Sequence, residues 1–362
     1  MKKKKIGVLT GGGDAPGLNA VIYALTKTCV TEFGYELIGY RFGYRGLYEN
    51  KFTPLNMSAV SGILHKGGTI LHSSNKDNLF EFFVSAAGQK VKKDVSSVAI
   101  ENMANEGVDA LCVLGGDGTL TSARDFARKG INVVGVPKTI DNDLLSTETT
   151  FGFDTAVSIV TENLGRLHTT AESHHRVMIA EVMGRSAGWI ALHAGIAGSA
   201  DVILIPEIPF SLENIVAKIK ERDALGKYFS VIVVCEGAIE KGGEAVVGKI
   251  VEDSPDPIRF GGVGAYLAHR LEPLVEHEVR SCAFGHIQRG GETSAQDRVL
   301  SCRYGVAAAH LIHEEKYGNM VCLRRGVMEY ESLEKVIGQN KLVNPNGELV
   351  RVARSLGVSF GG

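Results

Sequence analysis

Short apolar runs alternate with glycine turns and helical periodicities along the whole chain. Residues 6–10 (IGVLT) form a continuous apolar run of strand length that ends in the glycine turn at 11–14. Pro16 stands near a first helical position, and Leu18, Ile22, Leu25 and Cys29 then recur at helical spacing. A second strand is predicted at 35–42, and residues 53–74 are read as a helix followed by GGTILHSSNK. Residues 109–114 predict the next strand, 115–118 a turn, 119–129 a helix and 132–136 another strand.

After residues 151–155 the rhythm resumes. A helix is predicted to end near His168, with strands at 177–182, 202–205, 229–235 and 279–284 and helices between them. Continuous apolar strands separated by helices belong to parallel sheets covered on both faces. The expected fold class is α/β, with two similar domains, each a mainly parallel sheet flanked by helices. No Pro/Ser-rich linker marks a border between them.

Composition narrows the partners. A chain of 362 residues with 44% hydrophobic and 22% charged content is long enough for two ordinary cores. A net charge of −2 and a pI near 6.6 set aside nucleic acid and membrane surfaces as main partners, so an anionic ligand must be held by local basic clusters. The lysines at 2–5 resemble the start of a targeting signal, but only residues 6–9 are apolar before the glycine turn, far from the roughly 20 residues of a membrane span. Cys29, Cys112, Cys235, Cys282, Cys302 and Cys322 show no C-x-x-C spacing and mostly lie in apolar runs, so reduced thiols and a cytoplasmic location are expected.

The stretch 115–143, GGDGTLTSARDFARKGINVVGVPKTIDND, carries the clearest chemistry. A helix that starts just after glycines offers free N–H groups and a positive dipole end to phosphate. Asp117 in that turn would repel phosphate unless a cation lay between them, and Mg²⁺ binds through one or two carboxylates plus substrate phosphates. The bland alternative is that Asp117 caps the helix. The polar loop that follows holds Lys138, Thr139, Asp141, Asn142 and Asp143 with no apolar period. Both segments follow the carboxyl ends of strands, where ligands bind in open parallel sheets, and the set suits phosphoryl transfer.

Two other readings fall away. From Gly11 the last glycine of a dinucleotide fingerprint falls on Pro16, which removes a nicotinamide site. His174, His175, His193 and Trp189 match no zinc spacing and are read as structural.

GGDGT followed by PKTIDND resembles the donor and acceptor loops of the phosphofructokinase family. The match continues with GGGDAPGLNAVI (11–22), GGTIL (67–71), EVMGRSAGWIA (181–191), PEIPF (206–210) and FGHIQRGG (284–291), in family order over roughly residues 6–300. The resemblance implies Rossmann-like layers with the active site in the cleft between two domains. It divides them as 1–152 plus about 288–338 for nucleotide and Mg²⁺, and 153–287 plus about 339–362 for the sugar phosphate.

Residue by residue, the resemblance implies that Asp141 is the general base for the sugar 1-hydroxyl. Thr139 and Asp143 position that hydroxyl and the moving phosphoryl group, Arg185 offsets transition-state charge, and Asp117 serves Mg²⁺. Gly13, Asn75, Lys76, Gly116, Gly118 and Thr119 would meet the nucleotide. Met183, Gly184 and Glu236 would line the sugar. Arg176, Arg280, His286 and Arg289 would hold the 6-phosphate, as arginines bind phosphate oxygens in pairs. Arg176 and Arg280 would come from a neighbouring subunit, which requires a homodimer or homotetramer.

The implied reaction is phosphoryl transfer from ATP to fructose 6-phosphate. Rival readings are pyrophosphate as donor, or a non-catalytic sugar-phosphate-binding subunit. The sequence departs from the family's ATP pattern at Asn75, where an arginine is usual; Lys76 stands next to it, either as the substitute charge or as a solvated loop lysine. Gly118 leaves room for an ATP α-phosphate where pyrophosphate users carry an aspartate, while Lys138 is the residue those users have. The exclusion argument at Gly118 is the stronger, so ATP is the expected donor.

Overall fold

The computed structural model of the chain describes residues 3–86, 89–251 and 257–362. In chain order its strands are β1 (Lys5–Thr10), β2 (Glu36–Tyr40), β3 (Phe52–Leu55), β4 (Phe82–Ala86), β5 (Gln89–Lys93), β6 (Ala110–Gly115), β7 (Val133–Pro137), β8 (Val177–Val182), β9 (Val202–Leu204), β10 (Ser230–Cys235), β11 (Val247–Ile250), β12 (Ile258–Phe260), β13 (Val279–Ala283), β14 (Asn319–Arg324) and β15 (Val327–Ser332). They make a seven-stranded sheet in the order β15-β14-β7-β6-β1-β2-β3, a four-stranded sheet in the order β13-β8-β10-β9, and the hairpins β4-β5 and β11-β12. In the large sheet β14, β7, β6, β1 and β2 run parallel, and only the edges β3 and β15 are antiparallel. The smaller sheet is parallel throughout.

Alternation along each strand explains the layers. Val8, Cys112, Leu114, Val134 and Val136 face one way and pack on Leu18, Ile22 and Leu25 of the helix Leu18–Thr31 and on Tyr304 of the helix Ala295–His313. Leu9, Leu111, Val113 and Val133 face the other way, onto Leu120 and Phe126 of the helix Asp117–Arg128. In the smaller sheet Ala180, Val182, Val231 and Val233 meet Val160 and Leu164 of the helix Phe153–His174, while Ile179, Ile232 and Val234 meet Ile215 and Ile219 of the helix Leu212–Ala224. Burial on both faces is why these strands read as unbroken apolar runs.

Connectivity positions the site. From β1 the chain moves to β2 on one side, while β6 adds on the other, so the order in which the chain adds its parallel strands reverses between β1 and β6. Ligands bind in the crevice beyond such a reversal. The turns after β1 and β6 are GGGD and GGDG.

Several predicted elements shift. Residues 53–74 are not helical: Phe52–Leu55 pairs with β2 as an edge strand, and the rest is turns. Val60 and Ile63 suggest a helical period and are buried, but Gly62 at φ 72° breaks it. The helix expected from 119 starts at Asp117, and the one expected to end near His168 runs to His174. Helix Leu18–Thr31 starts after Gly17 at φ 103°, which leaves Pro16 in the turn. Among the described residues no helix is long and apolar enough to cross a membrane.

Candidate active site

At the carboxyl ends of β1 and β6 the neighbouring turns interlock. Gly12 N donates to Ser74 O at 3.0 Å, Ser73 Oγ donates to Gly12 O at 2.5 Å, and Tyr44 Oη donates to Thr119 O at 2.8 Å. Asn75 and Lys76 follow Ser74 directly and are exposed. Gly116 is the N-cap residue of helix Asp117–Arg128 and provides no side-chain cap. Asp117 does not cap the helix either, because its Oδ1 accepts from Gly338 N at 2.8 Å. Gly118 is exposed, and a Cβ there would meet nothing within 4 Å. Among the described residues no group of three or more His, Cys, Asp and Glu is arranged to hold a metal. One half-exposed carboxylate beside a helix N-terminus fits a cation that takes its remaining ligands from donor phosphates and water.

The loop after β7 is polar and yet deeply buried. Lys138, Thr139, Asp141 and Asn142 are all less than a tenth exposed. Lys138 Nζ donates to Gly13 O at 2.5 Å, which ties the loop after β7 to the turn after β1. Burial, then repulsion from Arg289, draws the Lys138 pKa down to about 8. Thr139 Oγ1 accepts from Asp141 N at 3.1 Å and Thr139 O accepts from Thr150 Oγ1 at 2.6 Å, so the loop is braced. Asp141 Oδ1 is buried and makes no hydrogen bond. Leaving such an acceptor unpaired costs about 1–3 kcal/mol, which folding alone does not favour. Burial pushes the Asp141 carboxyl above its ordinary range, against the pull of Arg289, Arg185 and Lys138. Asp143 is raised by burial and by Asp141 beside it.

The smaller sheet brings its own strand ends to the same place. After β8 come Met183, Gly184 at φ 141° and Arg185 at φ 52°; the tight turn brings Arg185 N to Glu236 Oε1 at 3.1 Å, just past β10. Burial and the nearby Asp141 push Glu236 up to about 7. After β13 the short helix Gly285–Arg289 carries His286, which is exposed, and Arg289. Arg289 Nε is buried without a partner, and its guanidinium lies against Gly13. The structure thus brings Gly13, Lys138, Asp141, Arg185, Glu236 and Arg289 into one cleft between the sheets.

Arg176 and Arg280 are elsewhere. They flank Glu278, which accepts from Arg176 Nε and from Arg280 Nη2. Arg176 precedes β8 and Arg280 is the second residue of β13, at the amino ends of strands whose carboxyl ends carry the cleft. The length of β8, about 20 Å at roughly 3.3 Å per residue, separates them from Arg185.

Sequence reasoning missed four residues. Gln288 is fully buried, and its Oε1 accepts from Met183 N at 3.3 Å, locking the turn after β8 to the helix that holds Arg289. Glu181 accepts from Gly262 N and Gly264 N at 2.9 and 2.8 Å and anchors the helix Val263–Leu271. Arg259 in β12 is lowered by burial and then by Arg185 and Arg289, which puts a third guanidinium near that pair. Lys341 donates to Asn142 Oδ1 at 2.9 Å. Only the glutamine and glutamate lie inside matched motifs, and neither carries a local signal of its contact.

The chain is similar to known proteins over nearly its whole length. The family profile described as Phosphofructokinase matches residues 5–312. A protein of Clostridium perfringens named ATP-dependent 6-phosphofructokinase 2 is 65% identical over 359 residues, covering 99% of this chain and 98% of its own. A Streptomyces coelicolor protein named pyrophosphate–fructose 6-phosphate 1-phosphotransferase is 45% identical over 358 residues, covering 99% of this chain and 100% of its own. The solved phosphofructokinase of Saccharomyces cerevisiae superposes with a TM-score of 0.79 at 28% identity over 92% of this chain, which spans 45% of that longer one.

Proposed function

The chain belongs to the phosphofructokinase family, and on that premise we propose that it transfers the γ-phosphoryl group of ATP to the 1-hydroxyl of fructose 6-phosphate. It is a phosphotransferase with an alcohol acceptor. The observation that carries the reading is Asp141: a buried carboxylate with an unpaired oxygen, ringed by cations, between a donor turn and a sugar-side turn. A substrate hydroxyl donating to Oδ1 would satisfy that acceptor and place its proton on the base.

In this reading Asp141 takes the proton as the 1-oxygen attacks phosphorus in line, and the bond to the leaving ADP oxygen breaks. Thr139 and Asp143 hold the hydroxyl and the moving group. Arg185 and Lys138 offset charge on the transferring oxygens, a term that is large where water is excluded. Gly116, Gly118 and Thr119 present backbone to the donor phosphates with Gly13, Asn75 and Lys76 across the cleft. Mg²⁺, held by Asp117 and the donor phosphates, would supply charge neutralisation there. Met183, Gly184 and Glu236 line the sugar, and His286 and Arg289 take its 6-phosphate.

We assign the donor domain to residues 1–152 plus about 288–338 and the sugar-phosphate domain to 153–287 plus about 339–362. Arg176 and Arg280 complete the 6-phosphate site of a second copy, since they lie at the far end of β8 and β13 from their own cleft. That requires a dimer or tetramer. A coupled assay of the pure chain tests the whole reading. Turnover of fructose 6-phosphate with MgATP is expected, and turnover with pyrophosphate alone would refute the donor.

A further inference from the structure

Residues 338–343 form an irregular strap between the two sides of the cleft. Gly338 N donates to Asp117, Asn340 forms a single β-bridge with Leu144, and Asn340 Nδ2 donates to Ser186 Oγ at 2.9 Å. Lys341 N donates to Asp143 O at 2.7 Å, Lys341 O accepts from Trp189 Nε1 at 2.7 Å, and Val343 N donates to Glu207 Oε1 at 2.8 Å. The same Glu207 oxygen accepts from Gly188 N at 3.0 Å. One short segment therefore touches the donor aspartate, the acceptor loop and the sugar-side helix.

Lys341 is its most committed side chain. An ammonium has three donors. Lys341 spends them on Asn142 Oδ1 at 2.9 Å, Thr147 O at 3.0 Å and Glu148 O at 2.9 Å. Asn142 lies between Asp141 and Asp143 with φ 53°, and its Oδ1 also accepts from Thr150 N at 3.1 Å. Asparagine tolerates left-handed backbone better than most residues, and here the two donors on Oδ1 fix its side chain and with it the turn. The two carboxylates leave the backbone on either side of that held residue.

We infer that Lys341 is a positioning residue for phosphoryl transfer, acting through Asn142 to hold Asp141 and Asp143 at the angle the 1-hydroxyl needs and to tie that loop to Asp117 and Trp189. The inference rests on the function proposed above. Its reach is set by geometry: small misplacements of reacting groups cost about 100-fold in rate. Most contacts to each substrate come from other residues, so binding should change little.

The test uses the full chain with Lys341→Met, Lys341→Arg, Asn142→Ala and the Met/Ala double variant. Lys341→Met is expected to lower kcat about 10- to 100-fold with both KM values within about threefold. Trp189 is the only tryptophan in the chain, so its emission reports on the strap directly and should shift to the red. Lys341→Arg keeps the charge but not three convergent bonds, and should recover part of kcat. Asn142→Ala should lower kcat similarly, and the double variant should fall no further than about twofold below the worse single one. A kcat within twofold of wild type in Lys341→Met or in Asn142→Ala would overturn the inference, as would additive losses in the double variant. If Lys341→Met does not fold, Asn142→Ala and Lys341→Arg decide it. A wild-type chain inactive with MgATP and fructose 6-phosphate overturns the proposed function, and this inference with it.

Discussion

The Arg289 guanidinium lies so close to Gly13 that a methyl group on that glycine would run into it. One residue follows β1 and the other follows β13, so the contact bridges the strand ends of the two sheets. Gly13→Ala should leave the fold nearly unchanged, because the long arginine side chain can move aside. It should lower kcat/KM for fructose 6-phosphate by about tenfold or more, since a displaced Arg289 no longer faces the 6-phosphate and the base. Steady-state kinetics beside a thermal melt check this; an unchanged kcat/KM would remove the contact from function.

Asp141→Ser removes the unpaired buried carboxylate. General-base catalysis is typically worth about 10²- to 10⁴-fold, so kcat should fall in that range while fructose 6-phosphate still binds. Thermal stability should hold or rise, because a strained buried charge has gone. Unchanged kcat would exclude Asp141 as the base.

Arg280→Ala should act on KM. The 6-phosphate does not react, so its ligands stabilise ground and transition states alike. A rise in KM for fructose 6-phosphate of about tenfold or more with kcat within threefold is expected. Mixing this variant with an Asp141→Ser chain should regain activity if Arg280 serves a neighbour, since one site of the hybrid is then intact. No recovery in hybrids shown to contain both chains would count against a shared site.

Gly118→Asp should fold normally, given the open space around position 118. Its carboxylate would stand where an ATP α-phosphate must pass, and use of MgATP should be lost. Retained turnover with MgATP at the wild-type rate would show that the donor does not pass there.

Mild acid should separate activity from stability. Asp141, Asp143 and Glu236 are all raised by burial, Glu236 to about 7, and Asp297 reaches about 6 for the same reason. A base must be ionised to work, and burial raises Asp141, so kcat/KM should fall on acidification well before the ordinary carboxylate range near 4 is reached. Stability moves the other way. Between about pH 7 and 4 the folded state binds protons that the unfolded state does not, so unfolding becomes harder as pH falls through that window. Kinetics and melting curves at pH 7.5 and about 5.5 test the pair of trends; parallel losses would contradict them.

What the sequence determines here is local. Parallel strands covered on both faces must be apolar throughout, and glycine turns follow them because the backbone has to reverse close to a ligand; both rules act within a few residues. Hence β1, β6, β7, β8 and β10, the GGDG turn and the carboxylates of the TIDND loop are legible from the chain alone. The irregular path of residues 56–74 was not, because Val60 and Ile63 keep a helical spacing whichever way the chain runs. Tertiary structure decided the rest. Asp141 is raised by burial that residues from several distant segments create together, and Arg289 meets Gly13 only because two sheets face each other. The four arginines divide into two ends of one sheet through strand direction in space, which no motif records. Lys341 sits in a strap without period or motif, and its role exists only through the three oxygens that the folded loop turns toward it.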